Sequence, residues 1–547
     1  MLSITKLNRA GIVSLAFFLA ITGCSKKELS STGGTTPTPP TPPSATLLTL
    51  LDSVYLYAHQ VYFWNEHIPS YAQFNPSQYA NGSSSDSVKL FQELFAFTVT
   101  YNSAINAQTG RSYEFYADDS VNTGDYPGPK YSYFEDSTTY GSTSAIANSS
   151  DYLGGTDYGF GFYPGLWSTD TLIIRYVEKG SPFDKNSIQR GDILLSINGT
   201  PMTFNGSTAT NNARINLVNS LLNPANTASA SFQISRVRKG VTDTVNIQNL
   251  APQYFTYNPV FRDTVVTSAT GKKVGYIAYQ SFTDWTKSSA TVLQNAFTAF
   301  AGSSITELVI DLRYNGGGYV ESSENFANLA APSSANGKKM FTEYYNDTMT
   351  AGKATLLANQ GMPTNASYYS VENNTFNFSK MGSVSGLSRV IFLVSDGTAS
   401  ASELLINNLK PYLNVILIGT QWETGSGDRT YGKPVGFFPI NIGKYVYYMP
   451  EFASGNATDP AGGASYYSGM PVDNTSTDDA RYNFGEPKET SFAQALYYID
   501  NGGFNPNYNG GYLANAQTLN NLSLKKAFKQ PSSFNGMIHN NSIKKRQ

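Results

Sequence analysis

The sequence predicts a multidomain α/β protein, and three observations carry that prediction. Between residues 260 and 500, short apolar runs alternate with helix-period segments, the order that builds an α/β core. Ahead of it, residues 156–250 read as short strands punctuated by Gly, Pro and Asn-Gly turns. Ahead of that, residues 47–105 carry apolar residues at helical spacing. With 547 residues the chain has room for about three domains.

Composition narrows the function. Lys plus Arg is 37 against 39 Asp plus Glu, a net charge of −2, which excludes a polycation built to coat nucleic acid. Charged residues and aromatics each make up 14%, a balance that argues against wholesale disorder. Cys24 is the only cysteine, and the three histidines are His59, His67 and His539. An intramolecular disulfide is impossible and a Cys/His zinc site nearly so. No metal and no cofactor is expected.

Residues 1–23 read as an export signal. Lys6 and Arg9 precede the apolar stretch Gly11–Ile21, which is too short to span a bilayer comfortably. Ile21-Thr22-Gly23-Cys24 resembles the lipobox of bacterial lipoproteins. That implies lipidation at Cys24 and a lipid-anchored protein of the bacterial cell envelope, at the outer membrane. The plainer alternative is a cleaved signal with an incidental cysteine. Residues 24–46 are a Pro/Thr-rich linker with nothing to bury. No later segment has 18 consecutive apolar residues, so membrane contact is expected through the lipid alone.

The region 47–155 is expected to be an N-terminal helical domain. Leu47, Leu51, Val54, Tyr55 and Ala58 share one helix face, and Asp86–Phe95 gives a second helix. The aromatic cluster Tyr62–Pro69 between them is expected to pack as core. In 156–250, Tyr158–Phe162 opens a strand and Thr171–Val177 is another. Gly180-Ser181-Pro182 starts a short helix. Gly191-Asp192 turns into the strand Ile193–Ile197, and Asn198-Gly199 is a hairpin turn. Taken together this resembles a PDZ domain of the bacterial, protease-associated type. The resemblance implies a β domain that binds a peptide C-terminus by strand addition, with Gly159, Phe160, Gly161 and Phe162 as its carboxylate loop. The bland alternative is a generic hairpin loop.

Two turns in the 260–500 core carry candidate chemistry. Asp311-Leu312-Arg313-Tyr314-Asn315-Gly316-Gly317-Gly318 follows the apolar run from Glu307. Gly397-Thr398-Ala399-Ser400-Ala401-Ser402-Glu403 follows the run Val390–Val394 and opens a helix. A serine at a helix start can be a simple cap. The run of small residues, however, keeps space open around the hydroxyl, and the helix N-terminus favours nearby negative charge. A nucleophilic serine needs a base, and 260–500 contains no histidine. Lys433, between Gly432 and Pro434, is the alternative, provided burial lowers its pKa. A surface turn is the competing reading for Gly432-Lys433-Pro434.

With these motifs in order, residues 158–500 resemble the C-terminal (tail-specific) processing protease family, Ser-Lys serine peptidases that carry a PDZ domain. The N-terminal region is similar to that of lipoprotein members from Bacteroidetes-like bacteria. The resemblance implies an α/β (ClpP/crotonase-like) protease core over 260–500. It implies Ser400 as nucleophile, Lys433 as general base, and backbone N–H groups at Gly317, Gly318 and Ala401 as the oxyanion hole. The implied function is a serine endopeptidase whose partners are protein or peptide substrates with a free C-terminus. Two positions depart from the family pattern. Ser400 and Lys433 lie farther apart in sequence than usual, with the extra residues assigned to Gln421–Thr430. Phe437 stands where many members have a Gln that orients the lysine. The alternatives are a catalytically weak or inactive protease-fold lipoprotein that acts as a peptide-binding scaffold, and a surface lipoprotein that binds glycans. Gly469–Asp473 is expected to be the strand closing the core and Pro487–Tyr498 its final helix. Residues 501–547, rich in Asn and Gly, are expected to be a solvated C-terminal tail.

Overall fold

The computed structural model describes residues 45–547 except 83, 101–103, 107–109, 116–128, 137–152, 168–170, 223–227, 239, 385, 421–426, 459–465, 508–535 and 540–547. The expected signal segment, Cys24 and nearly all of the linker lie outside the described residues. Among the described residues no helix is long and apolar enough to cross a membrane.

The N-terminal region follows its hydrophobic spacing. Helix α1 (Ala45–Val61) buries Leu47, Leu51, Val54, Tyr55 and Ala58, and α2 (Asp86–Phe95) buries Leu90 and Leu94. The aromatic cluster is core, as its composition suggested: Tyr62 is wholly buried, and Trp64 stacks on Tyr113 and Tyr131 and meets Tyr467. A strand β1 (Tyr133–Asp136) leaves this region for the core.

The next stretch is a β domain: β2 (Thr156–Gly159), β3 (Phe162–Leu166), β4 (Leu172–Val177), β5 (Ile193–Ile197), β6 (Thr200–Pro201), α3 (Thr208–Leu222), β7 (Ala230–Arg238), β8 (Val241–Leu250) and β9 (Gln253–Thr256). Its main sheet runs β8-β7-β5-β4-β3, with β6 paired to β5. Asn198 and Gly199 both have positive φ, 48° and 75°, and Ile197 pairs with Thr200. That is the two-residue hairpin the dipeptide predicts. The strand expected over Tyr158–Phe162 is two strands. The chain breaks at Gly161, with φ of 71°, where a Cβ would lie 2.1 Å from Ser181 Cβ.

The core sheet contains β10 (Val260–Thr267), β11 (Lys273–Tyr279), β12 (Glu307–Asp311), β15 (Arg389–Ser395) and β16 (Asn414–Thr420), closing on β20 (Asn474–Ser476). Between them come α4 (Ala290–Gly302), β13 (Gly317–Tyr319), α5 (Val320–Ala330) and β14 (Lys339–Tyr345). Strand β15 is Arg389–Ser395, followed by α6 (Ala401–Leu409) and β16 (Asn414–Thr420). Then follow β17 (Val435–Gly436), β18 (Tyr445–Tyr448), β19 (Phe452–Asn456), β20 (Asn474–Ser476), α7 (Thr490–Asn501) and β21 (Gly536–Ile538). The sheet order is β10-β11-β12-β15-β16-β20, parallel from β11 onward. Period-two alternation divides its two faces. Ile277, Leu308, Ile310, Phe392 and Val394 pack in one cluster with α4, α5 and α6, while Tyr276, Val309, Ile391, Leu393 and Ile418 pack in the other with α7. Apolar residues on both faces are what a doubly covered parallel sheet requires.

Two expectations fail here. The closing strand begins at Asn474 and not at Gly469, because Leu417 N–H bonds the Asp473 side chain and the parallel pairing starts only at Ile418↔Asn474. Within 501–547, Gly536–Ile538 is a strand and not solvated chain. Met537 is fully buried, and it pairs with β13 at the heart of the core. Local polarity hid this, since a three-residue strand leaves no periodic signature.

Candidate active site

The glycine turn and the serine turn meet because β12 and β15 are adjacent parallel strands, in register from Leu308↔Val390 to Asp311↔Leu393. Both turns therefore leave the carboxyl edge side by side, where open α/β sheets form sites. Hydrogen bonds lace them together. Thr398 Oγ1 donates to Leu312 O at 2.8 Å, Ser395 Oγ to Arg313 O at 2.7 Å, and Ser402 Oγ to Asn315 O at 3.1 Å.

Ser400 sits between β15 and α6 with φ 60° and ψ −110°. A non-glycine residue there is strained by about 1–3 kcal/mol. Its Oγ is buried with no hydrogen-bond partner, so it does not cap the helix, which removes the simplest structural account of this serine. Ala401 follows as the first helical residue, whose N–H has no intrahelical carbonyl to meet.

The conformation of the glycine turn demands its sequence. Gly317 and Gly318 have φ of 125° and 135°, and a Cβ at Gly318 would sit 2.3 Å from Phe282 O. The Gly317 N–H is already taken by Asn315 Oδ1 at 2.9 Å. With that bond made, the Gly317 N–H is not available as the oxyanion donor expected of it.

Lys433 is brought to the serine turn by Glu403. This carboxylate, on the first turn of α6, accepts from Ser400 N at 2.9 Å, Gly432 N at 2.8 Å, Lys433 N at 2.7 Å and the Thr430 hydroxyl. Tyr431 N–H adds a bond to Thr398 O at 3.0 Å. The intervening insertion is described only from residue 427 onward; 421–426 lie outside the described residues. Burial lowers the Lys433 ammonium to a pKa of about 7. Glu114 pulls it up, Lys130 pushes it down, and Glu403 pulls it up again. Phe437, where the family pattern suggests a Gln, faces the lysine with its ring centroid 4.7 Å from Nζ. A ring face stabilises a cation but cannot accept a hydrogen bond from an ammonium as an amide oxygen does.

Sequence reasoning missed the contribution of the N-terminal region. Strand β1 pairs with β18, Tyr133↔Tyr448 through Asp136↔Tyr445, and so carries residues 129–136 onto the core. Tyr131 OH donates to Gly432 O at 2.8 Å, beside the lysine. Glu114 is buried and accepts from Tyr131 N at 2.8 Å and from Ser132 Oγ at 2.5 Å. Lys130 donates to Tyr467 O at 2.7 Å, and burial lowers it to about 8. No spacing rule links residue 114 to residue 433, so the sequence offered no signal for this pairing.

Behind the glycine turn, Arg313 is fully buried among Asp311 at 2.6 Å, Glu489 at 2.8 Å and Asp478 at 3.1 Å. Arg190 of the β domain pairs with the same Asp478 and donates to Tyr314 OH at 2.9 Å. In the β domain, the Phe160 and Phe162 side chains belong to the core, with Phe162 stacked on Phe183 at 4.2 Å. The carbonyls of Phe160 and Gly161 accept from Phe183 N and Glu178 N. Strand β3, just after Gly161, lies at the end of its sheet.

Residues 273–436 match the model of Peptidase family S41. The chain is 25% identical over 280 residues to the chloroplastic C-terminal processing peptidase of Tetradesmus obliquus, covering 50% of this chain and 49% of that one. It is 24% identical over 264 residues to the carboxy-terminal processing protease CtpA of Bacillus subtilis, covering 48% and 44%. The chain thus spans about half the length of the curated relatives it matches. A crystal structure of an S41 protease from Bacteroides fragilis aligns over 82% of this chain and 97% of its own, with a TM-score of 0.53 at 21% identity. The two share a fold.

Proposed function

We propose that the chain is a serine endopeptidase acting by a Ser-Lys mechanism. Neutral Lys433 takes the proton of Ser400, whose Oγ attacks a peptide carbonyl. The Gly318 and Ala401 N–H groups stabilise the oxyanion, and water then releases the acyl-enzyme. Each oxyanion donor contributes on the order of 3 kcal/mol. The observation that carries this reading is the Glu403 carboxylate, which binds the backbones of Ser400 and Lys433 at once. In the same reading the β domain is PDZ-like. It holds the C-terminus of a protein substrate along the free edge of β3, near Gly159–Phe162. Lipidation at Cys24 and a bacterial cell-envelope location complete the proposal.

The test is cleavage of an unfolded protein by the parent chain, Ser400→Ala and Lys433→Ala, from pH 6 to 10. Cleavage by the parent alone, rising with pH, is the expected result. Equal cleavage by all three would sink the assignment of the nucleophile. A folded parent that cleaves nothing would favour a peptide-binding scaffold.

A further inference from the structure

The strand that the sequence hid lies in an unexpected place. Gly536–Ile538 runs parallel to the glycine strand, with Gly317↔Gly536, Gly318↔Met537 and Tyr319↔Ile538 in register. On its other side Phe437 N–H donates to Met537 O at 3.0 Å, and Phe437 bridges to Ile538. A Cβ at Gly317 would lie 2.2 Å from Gly536 O and 3.2 Å from Ser400 Cβ, so that carbonyl and the serine flank one point. An extended peptide presenting its carbonyl beside the serine, held by backbone pairing to the glycine strand, is the pose that acyl transfer requires of a substrate.

The side chains of the segment are held as well. Met537 is fully buried. His539 enters a pocket in which Nε2 lies 2.8 Å from Glu343 Oε1 and Nδ1 lies 3.2 Å from Glu321 Oε1. Its ring packs against Phe438 and Phe452. Burial pushes the imidazole down, but Glu343 and then Glu321 overcome this and raise it to about 9. The pocket therefore holds a cation at neutral pH. A histidine does reach the core, contrary to the sequence reading, but its two ring nitrogens face these carboxylates.

We propose that the groove between Gly317–Tyr319 and Phe437 is a peptide-strand site that Gly536–His539 of the same chain fills as a tethered pseudo-substrate, and that Glu321 and Glu343 select a cationic side chain three residues beyond the one whose carbonyl lies beside Ser400. Its catalytic meaning rests on the peptidase reading; the occupancy and the charge preference do not. Strand addition is tolerant of sequence, so selectivity falls to the buried pocket, where a carboxylate side chain would face two others.

The experiment is binding, so it needs no turnover. A fluorescent peptide of residues 532–541 is titrated by anisotropy into full-length Ser400→Ala, and into Ser400→Ala carrying Met537→Asp and Ile538→Asp, which release the internal strand. The released chain should bind the peptide about tenfold or more tighter than the parent. A peptide with His539→Lys should bind as well, and one with His539→Glu about tenfold worse. Equal binding to both chains, or indifference to the histidine replacement, overturns the proposal. If the released chain fails to fold, hydrogen exchange on the unaltered chain decides. Amides of Met537–His539 exchanging by local release, ahead of β12 and β15, support the proposal; exchange together with those strands overturns it. Peptide binding by the Ser400→Ala chains, together with no cleavage of unfolded protein by the folded unsubstituted chain, would sink the peptidase reading alone.

Discussion

Glu403→Gln is the most informative single substitution. Glu403 Oε1 accepts from Gly432 N and Thr430 Oγ1, and Oε2 from Ser400 N and Lys433 N. A carboxamide keeps one accepting oxygen. Its NH2 group is best tolerated on the Thr430 side, where the hydroxyl can rotate to accept, leaving Gly432 N–H without a partner. Placed the other way, it would orphan both Ser400 N–H and Lys433 N–H. A bond to a charged acceptor is worth about 1.5–3 kcal/mol, and an orphaned buried donor costs about 1–3 kcal/mol. The substitution should therefore destabilise the chain by about 3 kcal/mol. It should also slow labelling of Ser400 by a fluorophosphonate, because the orphaned Gly432 N–H loosens the segment that holds Lys433 beside the serine turn. Urea unfolding gives the first quantity and labelling rates the second. A change under about 1 kcal/mol with unaltered labelling would refute the idea that this carboxylate assembles the site.

Three further outcomes are expected. Labelling and cleavage should rise with pH through about 7, since Lys433 is half neutral there and becomes more so above it; a flat profile over that range would contradict a lysine base. Gly318→Ala should cost at least about 2 kcal/mol and abolish cleavage, because φ of 135° and the Phe282 carbonyl both exclude a Cβ; a folded, active variant would remove Gly318 from the oxyanion hole. Asp478→Asn should cost about 3–5 kcal/mol by leaving Arg190 and Arg313 with a neutral partner in a buried cluster. Burial raises the Asp478 carboxyl, but Arg190, Arg313 and Arg175 overcome it and hold it well below the usual range. Its stabilising effect is therefore complete above the ordinary aspartate pKa and is lost only as pH falls towards the depressed value. Parent and variant melting curves should converge only in strong acid.

The two central turns were legible because each is a local feature. Asn315–Gly318 needs glycines for its own backbone, and Thr398–Glu403 needs small residues for its own elbow, so both leave a trace in consecutive residues. The core strands were legible for the same reason, since apolar runs such as Glu307–Asp311 report burial on both faces. Glu403 was visible as the end of a motif, but its bonds to residues 430–433 were not, because they close over some thirty residues of intervening chain.

The sequence by itself determined the α/β alternation, the hairpin at Asn198-Gly199 and the serine and glycine turns, and it offered Lys433 as a candidate base. Each follows from periodicity, from backbone conformations that few residues adopt, or from the short supply of histidine. Only the tertiary structure decided that Gly317 N–H is spent on Asn315, that Glu114 and Lys130 set the charge around Lys433, and that Gly536–His539 lies against the glycine strand. Apart from the Asn315 bond, which spans two residues, these are contacts between segments hundreds of residues apart. Their energy comes from desolvated charge and strand pairing at a distance, which no local pattern of residues encodes.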